Sequence, residues 1–360
     1  MVSRGLPSDS MTEPVLTKRA LNRALLARQL LLERSAMGPT DALEQVGGLQ
    51  TQYAPAGYIG LWSRLEGFER PMLTTALEER RAIQATMMRA TIHVVSAADY
   101  WPMTVGVRRV RREWFAKVGG GAISALDMDA AAAAMREELA GGPLRFTEMT
   151  ERLVTRGFDP QASRWVGMWL DLVRVPPSGT WERRRADLYG LADTWLPQAA
   201  GVTEDDGIEL LIRRYLGAFG PASLKDIAGW MGLNVGQMRR VADAMELRGF
   251  RDEAGKPLVD LPGATLPDPD TPAPPRFIPV WDAMLLVHAR RTAVLPEAFR
   301  PLIFNTKTPH SLNTFLLDGQ VAGSWRFEDD EIRLAPMREL SRAEQRELDE
   351  EAHRLAGFHA

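Results

Sequence analysis

Cysteine is absent from all 360 residues. Disulfides, thiolate zinc sites, iron–sulfur clusters and a cysteine nucleophile are therefore excluded, and the composition suits a reducing cytoplasm. No apolar run approaches the roughly 18 residues that a membrane-spanning helix needs, so no membrane partner is expected. The opening stretch, MVSRGLPSDSMTEP, has no apolar core and does not read as a secretory signal. Residues 1–14 are expected to be a disordered lead-in, with Met11 as a second candidate start. Histidine is scarce and scattered, at 93, 288, 310, 353 and 359. Only His353 and His359 approach a metal spacing, and they lie in the tail, so no metal site is expected. Phosphate loops, dinucleotide fingerprints and HExxH are missing as well, and no cofactor is expected. Lysine is nearly absent, five residues against 39 arginines.

What remains is an ordinary globular composition, 45% hydrophobic and 25% charged. A chain of this length divides into two to four modules. The net charge of −3 excludes a protein that is basic all over, but the sign is uneven: residues 328–360 hold ten acidic and five basic side chains. Arginine's planar fork suits phosphate and guanine. A GC-rich genome also favours arginine over lysine, so only clustering carries information. The clusters are Arg80-Arg81, then Arg108, Arg109, Arg111 and Arg112 with Trp101 and Trp114 nearby, then Arg183-Arg184-Arg185, Arg239-Arg240 and Arg290-Arg291. Each alone reads as a solvated face. The carboxylate pairs Asp205-Asp206 and Asp329-Asp330 read as surface charge.

Helical periodicity dominates. Leu21, Leu25, Leu26, Leu30 and Leu32 mark a first helix capped by Thr17. A second starts near Pro39-Thr40-Asp41, with Thr40 as cap, and ends at Gly47-Gly48. A further helix runs to about Ala82, and AIQATMMRATIHVVS reads as two short strands. The order recurs with a helix over Asp129–Leu139, a helix capped by Thr147, the helix QASRWVGMWLDLV and a hairpin-like VPPSGTWERRRADLYGLA. It recurs again from EDDGIELLIRRYLGAFG to FRDEAGKPLVDL, where Ser223 caps, Gly232 turns, and Val235, Met238, Val241 and Met245 form a core stripe. Helix, helix, turn, helix, hairpin is the winged-helix order. Six prolines in residues 262–275 make a linker. Beyond it RFIPVWDAMLLV, HSLNTFLLDGQVAGSWRF and EIRLAPM read as strands of a small barrel or sheet, with a hairpin turn at Asp318-Gly319. The tail is an acidic helix with Ser341 and Glu344 as a capping box. The expected architecture is mainly α with small β elements: three tandem winged-helix domains at 15–120, 121–200 and 201–261, a linker at 262–276, and a β-barrel with a C-terminal helix at 277–360. Several winged helices in one chain point to nucleic acid, and on repeated wings and third helices the arginine clusters read together as phosphate contacts.

The segments LTKRALNRALLARQLL, GLQTQYAPAGYIGLWSRL, MMRATIHVVSAADYW, FGPASLKDIAGWMGL, VWDAMLLVHARR and FLLDGQVAGSWRF, in that order over residues 15–358, resemble the AlkZ/YcaQ family of winged-helix DNA glycosylases. The resemblance implies a C-shaped molecule with a concave DNA-binding surface. It implies monomeric, monofunctional excision of N7-alkylguanine from double-stranded DNA, including bulky natural-product adducts and interstrand cross-links. DNA repair, self-resistance to genotoxins and a nucleoid-associated, cytoplasmic location follow. The family's signature, a glutamine, a usually aliphatic residue and then Gln or Asp, is here Gln50-Thr51-Gln52. The second glutamine marks the AlkZ-like branch, and Thr51 is a polar departure that keeps the β-branch.

The chemistry is coherent. A carboxamide has no usable proton-transfer pKa but both donates and accepts hydrogen bonds, so it can orient a water. Residues two apart in an extended segment face the same way. N7-alkylguanine is already cationic and needs no acid to leave. A bulky base does not enter a snug pocket, which favours an open site. Taken alone, Gln50 and Gln52 read as bonding groups at the end of the second helix; under the resemblance they are catalytic. Thr91 and His93 share a strand face and match the family's strand beside that site. His93 either bonds a phosphate, helps hold the water, or is a satisfied interior histidine. Arg89 lies on the same face as a candidate phosphate contact. Trp281 and Asp282 read as packing and capping residues, and Met87, Met88, Trp165, Met168 and Trp169 as core. The competing functions are a non-enzymatic winged-helix regulator and a scaffold whose wings bind protein.

Overall fold

The computed structural model describes residues 13–124, 126–198, 201–286, 291–305 and 310–360. Most of the expected lead-in, Arg290 and the side chain of Arg291 lie outside them. Within them the chain is mostly helical, with four small sheets.

β1 (Val15–Leu16) leads into α1 (Lys18–Arg28). Thr17 caps α1, its hydroxyl accepting from the Ala20 amide at 3.1 Å, and Leu21, Leu25 and Leu26 turn inward. A fixed order then begins: helix, strand, helix, helix, strand, strand. Its first copy is α2 (Pro39–Val46), β2 (Leu49–Gln50), α3 (Pro55–Arg64), α4 (Arg70–Glu78), β3 (Ala82–Thr86) and β4 (Ile92–Ser96). Gly38, not Thr40, is the N-cap of α2, because Pro39 takes the first helical position. The helix ends at Gly47 in the left-handed region, φ +74°.

The long α5 (Ala97–Ser124) carries the chain to the second copy: α6 (Met128–Leu139), β5 (Leu144–Arg145), α7 (Phe146–Thr155), α8 (Pro160–Trp169), β6 (Leu172–Arg174) and β7 (Leu188–Leu191). Thr147 does not cap α7. Arg145 holds the N-cap position, and its amide donates to Glu148. The expected hairpin over 175–192 holds only β7; its antiparallel partner is β6, formed by residues expected to end the preceding helix, and 175–187 between them are an irregular connection. After α9 (Ala192–Trp195) comes the third copy: α10 (Glu204–Phe219), α11 (Leu224–Met231), α12 (Val235–Ala244), β8 (Arg248–Asp252) and β9 (Pro257–Asp260). Its first strand is reduced to one bridge, Ala222 to Val259. Ser223 caps α11 and Gly232 ends it at φ +86°.

The first two copies share one sheet of order β2-β4-β3-β6-β7-β5. They meet edge to edge through equivalent strands, with Gln84 opposite Arg174 and Ala85 opposite Val173. β8 and β9 form a separate sheet with β1 added in parallel. The largest core lies between the shared sheet, α5 and α10 to α12, and a second joins α2, α3 and α4 to the C-terminal region.

That region contains β10 (Arg276–Ile278), α13 (Ala283–Leu286), α14 (Arg291–Val294), α15 (Arg300–Ile303), β11 (Phe304–Asn305), β12 (His310–Ser311), β13 (Thr314–Leu317), β14 (Gln320–Glu328), β15 (Glu331–Pro336) and α16 (Arg342–His359). The barrel does not form. The sheet is open among the described residues, in the order β10-β13-β14-β15, and its edges are managed by helices instead. Against β10, the Ser63 hydroxyl of α3 donates to the Phe277 carbonyl, and α16 packs over β15. RFIPVWDAMLLV is strand only at its start, because Asp282 accepts from the Met284 amide at 3.0 Å and begins α13. Asp282 also pairs with Arg64 at 2.9 Å, both fully buried, so it packs and caps as its sequence setting suggests. Asp318 and Gly319 form the two-residue turn, both at positive φ. Ser341 and Glu344 make the capping box of α16.

Candidate functional site

β2 is two residues long, and it sets the site. Leu49 pairs with Val94 and Gln50 with His93, and the Thr51 amide donates to the Ile92 carbonyl at 2.8 Å. Within β2, Leu49 and Gln50 take opposite faces, and Gln52 lies just beyond the strand in a bend. Leu49 joins the core that reaches the C-terminal sheet. The Thr51 hydroxyl accepts from Gln84 Nε2 at 3.0 Å, so the polar departure at this position is satisfied internally.

The two glutamines differ in depth. Gln50 is 7% exposed, whereas Gln52 stands in solvent. The Gln50 carboxamide oxygen is anchored to the connection between β3 and β4, and that of Gln52 to the first residue of β4. Gln50 Oε1 accepts from Arg89 Nη2 at 3.0 Å, and Gln52 Oε1 accepts from the Ile92 amide at 3.1 Å. A guanidinium and a backbone amide can only donate, so the identity of each oxygen is chemically fixed. Each oxygen keeps a second lone pair, and each amide nitrogen is directed away from its anchor.

The connection is itself tightly held. Met87 donates to the Thr91 carbonyl at 2.9 Å, and Arg89 and Ala90 occupy the left-handed region at φ +53° and +56°. Arg89 Nη1 donates to the Trp230 carbonyl of α11 at 2.6 Å. Gly232 lies against it, where a Cβ would come 3.3 Å from the Arg89 nitrogen. Burial lowers the Arg89 pKa to about 10, which leaves it cationic near neutral pH. Two of its five N–H groups go to Gln50 and Trp230, and the half-buried side chain also lines a cavity with Trp114 and Met231.

Thr91 donates to the Met88 carbonyl at 3.0 Å. His93 is 2% exposed, and its Nδ1 lies 3.0 Å from the Thr91 carbonyl. A carbonyl only accepts, so Nδ1 carries the proton. Burial, and then the charge of Arg89, push its pKa down to about 3. The ring is therefore a neutral interior histidine. The ring is interior but not satisfied: its buried Nε2 has no hydrogen-bond partner among the described residues.

The arginine clusters separate. Of the run on α5, Arg111 is 6% exposed and donates to the Thr86 carbonyl at 2.6 Å, and Arg112 donates to the Met168 and Trp169 carbonyls at the end of α8. These two hold elements together, in place of the expected phosphate contacts. Arg108 pairs with Asp171 at 2.7 Å and Arg109 with Glu204 at 2.7 Å. Arg239 and Arg240 are exposed and pair with Asp243 and Asp205. Arg80 lies over Trp195 and Arg81 pairs with Glu79.

Arg183, Arg184 and Arg185 are all exposed, on the 175–187 connection. Arg184 Nη1 donates to the Tyr53 hydroxyl at 3.0 Å. Tyr53 directly follows Gln52 and is 42% exposed, so the triplet and the glutamine pair share one surface. Beneath them Trp181 receives Arg184 at 5.6 Å and Arg70 at 5.1 Å. A cavity of about 310 Å³ brings Arg145 beside the triplet, with Asp187 between Arg145 and Arg185. Sequence reasoning missed Tyr53 and Arg145. The aromatic neighbour of the glutamine pair was a usable signal for Tyr53; nothing in the sequence marks Arg145. No cluster of three metal-ligating side chains occurs among the described residues.

Residues 43–358 match the family model described as DNA glycosylase AlkZ-like. The fold is similar to that of Streptomyces sahachiroi DNA glycosylase AlkZ, at a TM-score of 0.79 and 18% sequence identity, covering 96% of this chain and 97% of that one. No curated protein matches the chain by sequence.

Proposed function

Because the chain belongs to the AlkZ-like DNA glycosylase family, we propose that it hydrolyses the N-glycosidic bond of N7-alkylguanine in duplex DNA, with Gln50 and Gln52 directing the attacking water. The observation that carries this reading is the chemistry around the two amides. Their contacts are a backbone amide and Arg89, and the neighbouring imidazole is His93. Near neutral pH Arg89 holds its proton and His93 has no second one to give. Neither serves as a general acid. Such a site suits a leaving group that is cationic before reaction begins and fails on unmodified guanine, whose departure needs protonation. Gln52, in solvent, meets the water first, and Gln50 supports it from behind. The reaction proposed is that of a monofunctional hydrolase, which leaves an abasic site.

The three copies of the helix–strand–helix–helix–strand–strand order support tandem winged helices at 15–120, 121–200 and 201–261, packed into a C-shaped monomer. The duplex lies along the Tyr53 and Arg183–Arg185 surface. The open setting of Gln52 supports bulky adducts and cross-linked guanine as substrates, with DNA repair and self-resistance to genotoxins as the biological setting.

The test is base release from N7-methylguanine duplexes and from duplexes treated with bifunctional alkylators. Wild type releases base. Gln50→Ala and Gln52→Ala lower the single-turnover rate by about 10²- to 10³-fold each, the range for loss of a positioned polar group. Duplex binding without base release from any substrate would instead identify a regulator.

A further inference from the structure

Arg89 is a charged residue placed where a neutral donor would serve equally well to satisfy Gln50. It reaches that place through a backbone conformation that non-glycine residues avoid, φ +53°. A second N–H is held by the Trp230 carbonyl, and Gly232 leaves room for its backbone. No ion pair of Arg89 occurs among the described residues, so its charge is directed at the amide.

We propose that Arg89 is a positioning residue that fixes the polarity of the Gln50 carboxamide. The proposal rests on the assignment of Gln50 to the reacting site. An amide's oxygen and nitrogen are nearly isosteric, so a glutamine without a dedicated partner rotates between two orientations at little cost. Only one of them sets an oxygen toward a guanidinium. The flipped state places the NH₂ group against another donor and loses a charge-assisted hydrogen bond. Gln52 is polarised the same way by the Ile92 amide. Arg89 and the first residue of β4 thus order both amides, leaving one oxygen lone pair on each to accept from water. A freely rotating Gln50 would present that arrangement only part of the time.

The test is a double-mutant cycle on an N7-methylguanine duplex with Arg89→Met, which keeps the stem and removes the donors. Single-turnover rate falls about 10- to 100-fold, and the dissociation constant for the duplex stays within about twofold. Arg89→Lys, which keeps one donor, recovers part of the rate. In the Gln50→Ala background Arg89→Met costs nothing further, because the residue acts through Gln50. An equal loss in that background overturns the proposal, as does weakened DNA binding at an unchanged rate. Side-chain amide resonances of ¹⁵N-labelled protein give a second readout that needs no activity. The Gln50 NH₂ pair shifts and broadens in folded Arg89→Met, and an unchanged pair overturns the proposal. If wild type itself releases no base, the glycosylase reading fails while the resonances still decide the role of Arg89.

Discussion

His93 lies one strand from Gln50 and is held neutral by burial first and by the Arg89 charge second, with a pKa of about 3. In the unfolded chain the same side chain titrates near 6.5. Between those values the unfolded state binds a proton that the folded state refuses. The stability linked to His93 is therefore complete above about pH 6.5 and declines as pH falls toward 3, by up to about 1.4 kcal/mol per pH unit. His359, lowered to about 4 by burial and then by Arg184 and Arg70, loses stability in the same direction and over the upper part of the same window. Urea unfolding at pH 7 and pH 5 measures this. Wild type loses about 2 kcal/mol through His93 over that interval, and His93→Phe loses correspondingly less. A variant whose stability falls as steeply as wild type would show that the acid sensitivity lies elsewhere. The same neutrality means that base release has no inflection near pH 6.5 from this residue.

Elements explain why some clusters read from sequence survive and others dissolve. Successive residues on a helix point about 100° apart, so Arg108, Arg109, Arg111 and Arg112 fan out around α5 to Asp171, Glu204, the Thr86 carbonyl and the end of α8. Arg183 to Arg185 sit on an irregular connection, where adjacency in sequence becomes adjacency on a surface. Arg184→Ala should weaken binding about equally for all duplex sequences and reduce the salt slope by about one. Arg112→Ala should leave the slope alone and cost about 1 kcal/mol of stability, because it strips the part-buried carbonyls at the end of α8 of their donor. A slope change in Arg112→Ala, with stability intact, would restore it to the binding surface. The helices, the caps Thr17, Ser223 and Ser341 and the strands of 82–96 were all legible, since each follows from apolar period, cap chemistry or alternation within a few residues. The left-handed turn at Arg89 was not. Arginine carries no signature for positive φ, and what holds the turn is Trp230 and Gly232, some 140 residues away. The expected barrel failed for a related reason. Strand propensity says nothing of whether a sheet edge meets another strand or a helix, and here α3 covers one edge while α16 packs over the other.

At the scale of the molecule, the three copies are joined by a helix crossing. α5, which leaves the first copy, lies against α10, which opens the third, and Gly106 and Gly207 meet at the crossing. A Cβ on Gly106 would come 2.7 Å from the Gly207 carbonyl carbon, and one on Gly207 would come 2.6 Å from the Gly106 nitrogen. Both obstacles are backbone, so no rotamer change relieves them. Arg214 of α10 reinforces the joint by bridging Glu44 of α2 at 2.6 Å and Asp99 at the start of α5 at 2.8 Å. The crossing matters for the site because Arg89, in the first copy, is held by Trp230, in the third. Gly207→Ala should therefore lower stability by roughly 1–3 kcal/mol and slow base release at temperatures where the helices are still folded. Gly217, in the same helix, has open space where its Cβ would stand. Gly217→Ala should stabilise by about 0.4–1 kcal/mol, through helix propensity and a less flexible unfolded chain. Calorimetric melting of the pair separates local propensity from docking: opposite shifts locate the constraint at the crossing, and a shared upward shift would mean that α5 and α10 do not approach this closely in solution.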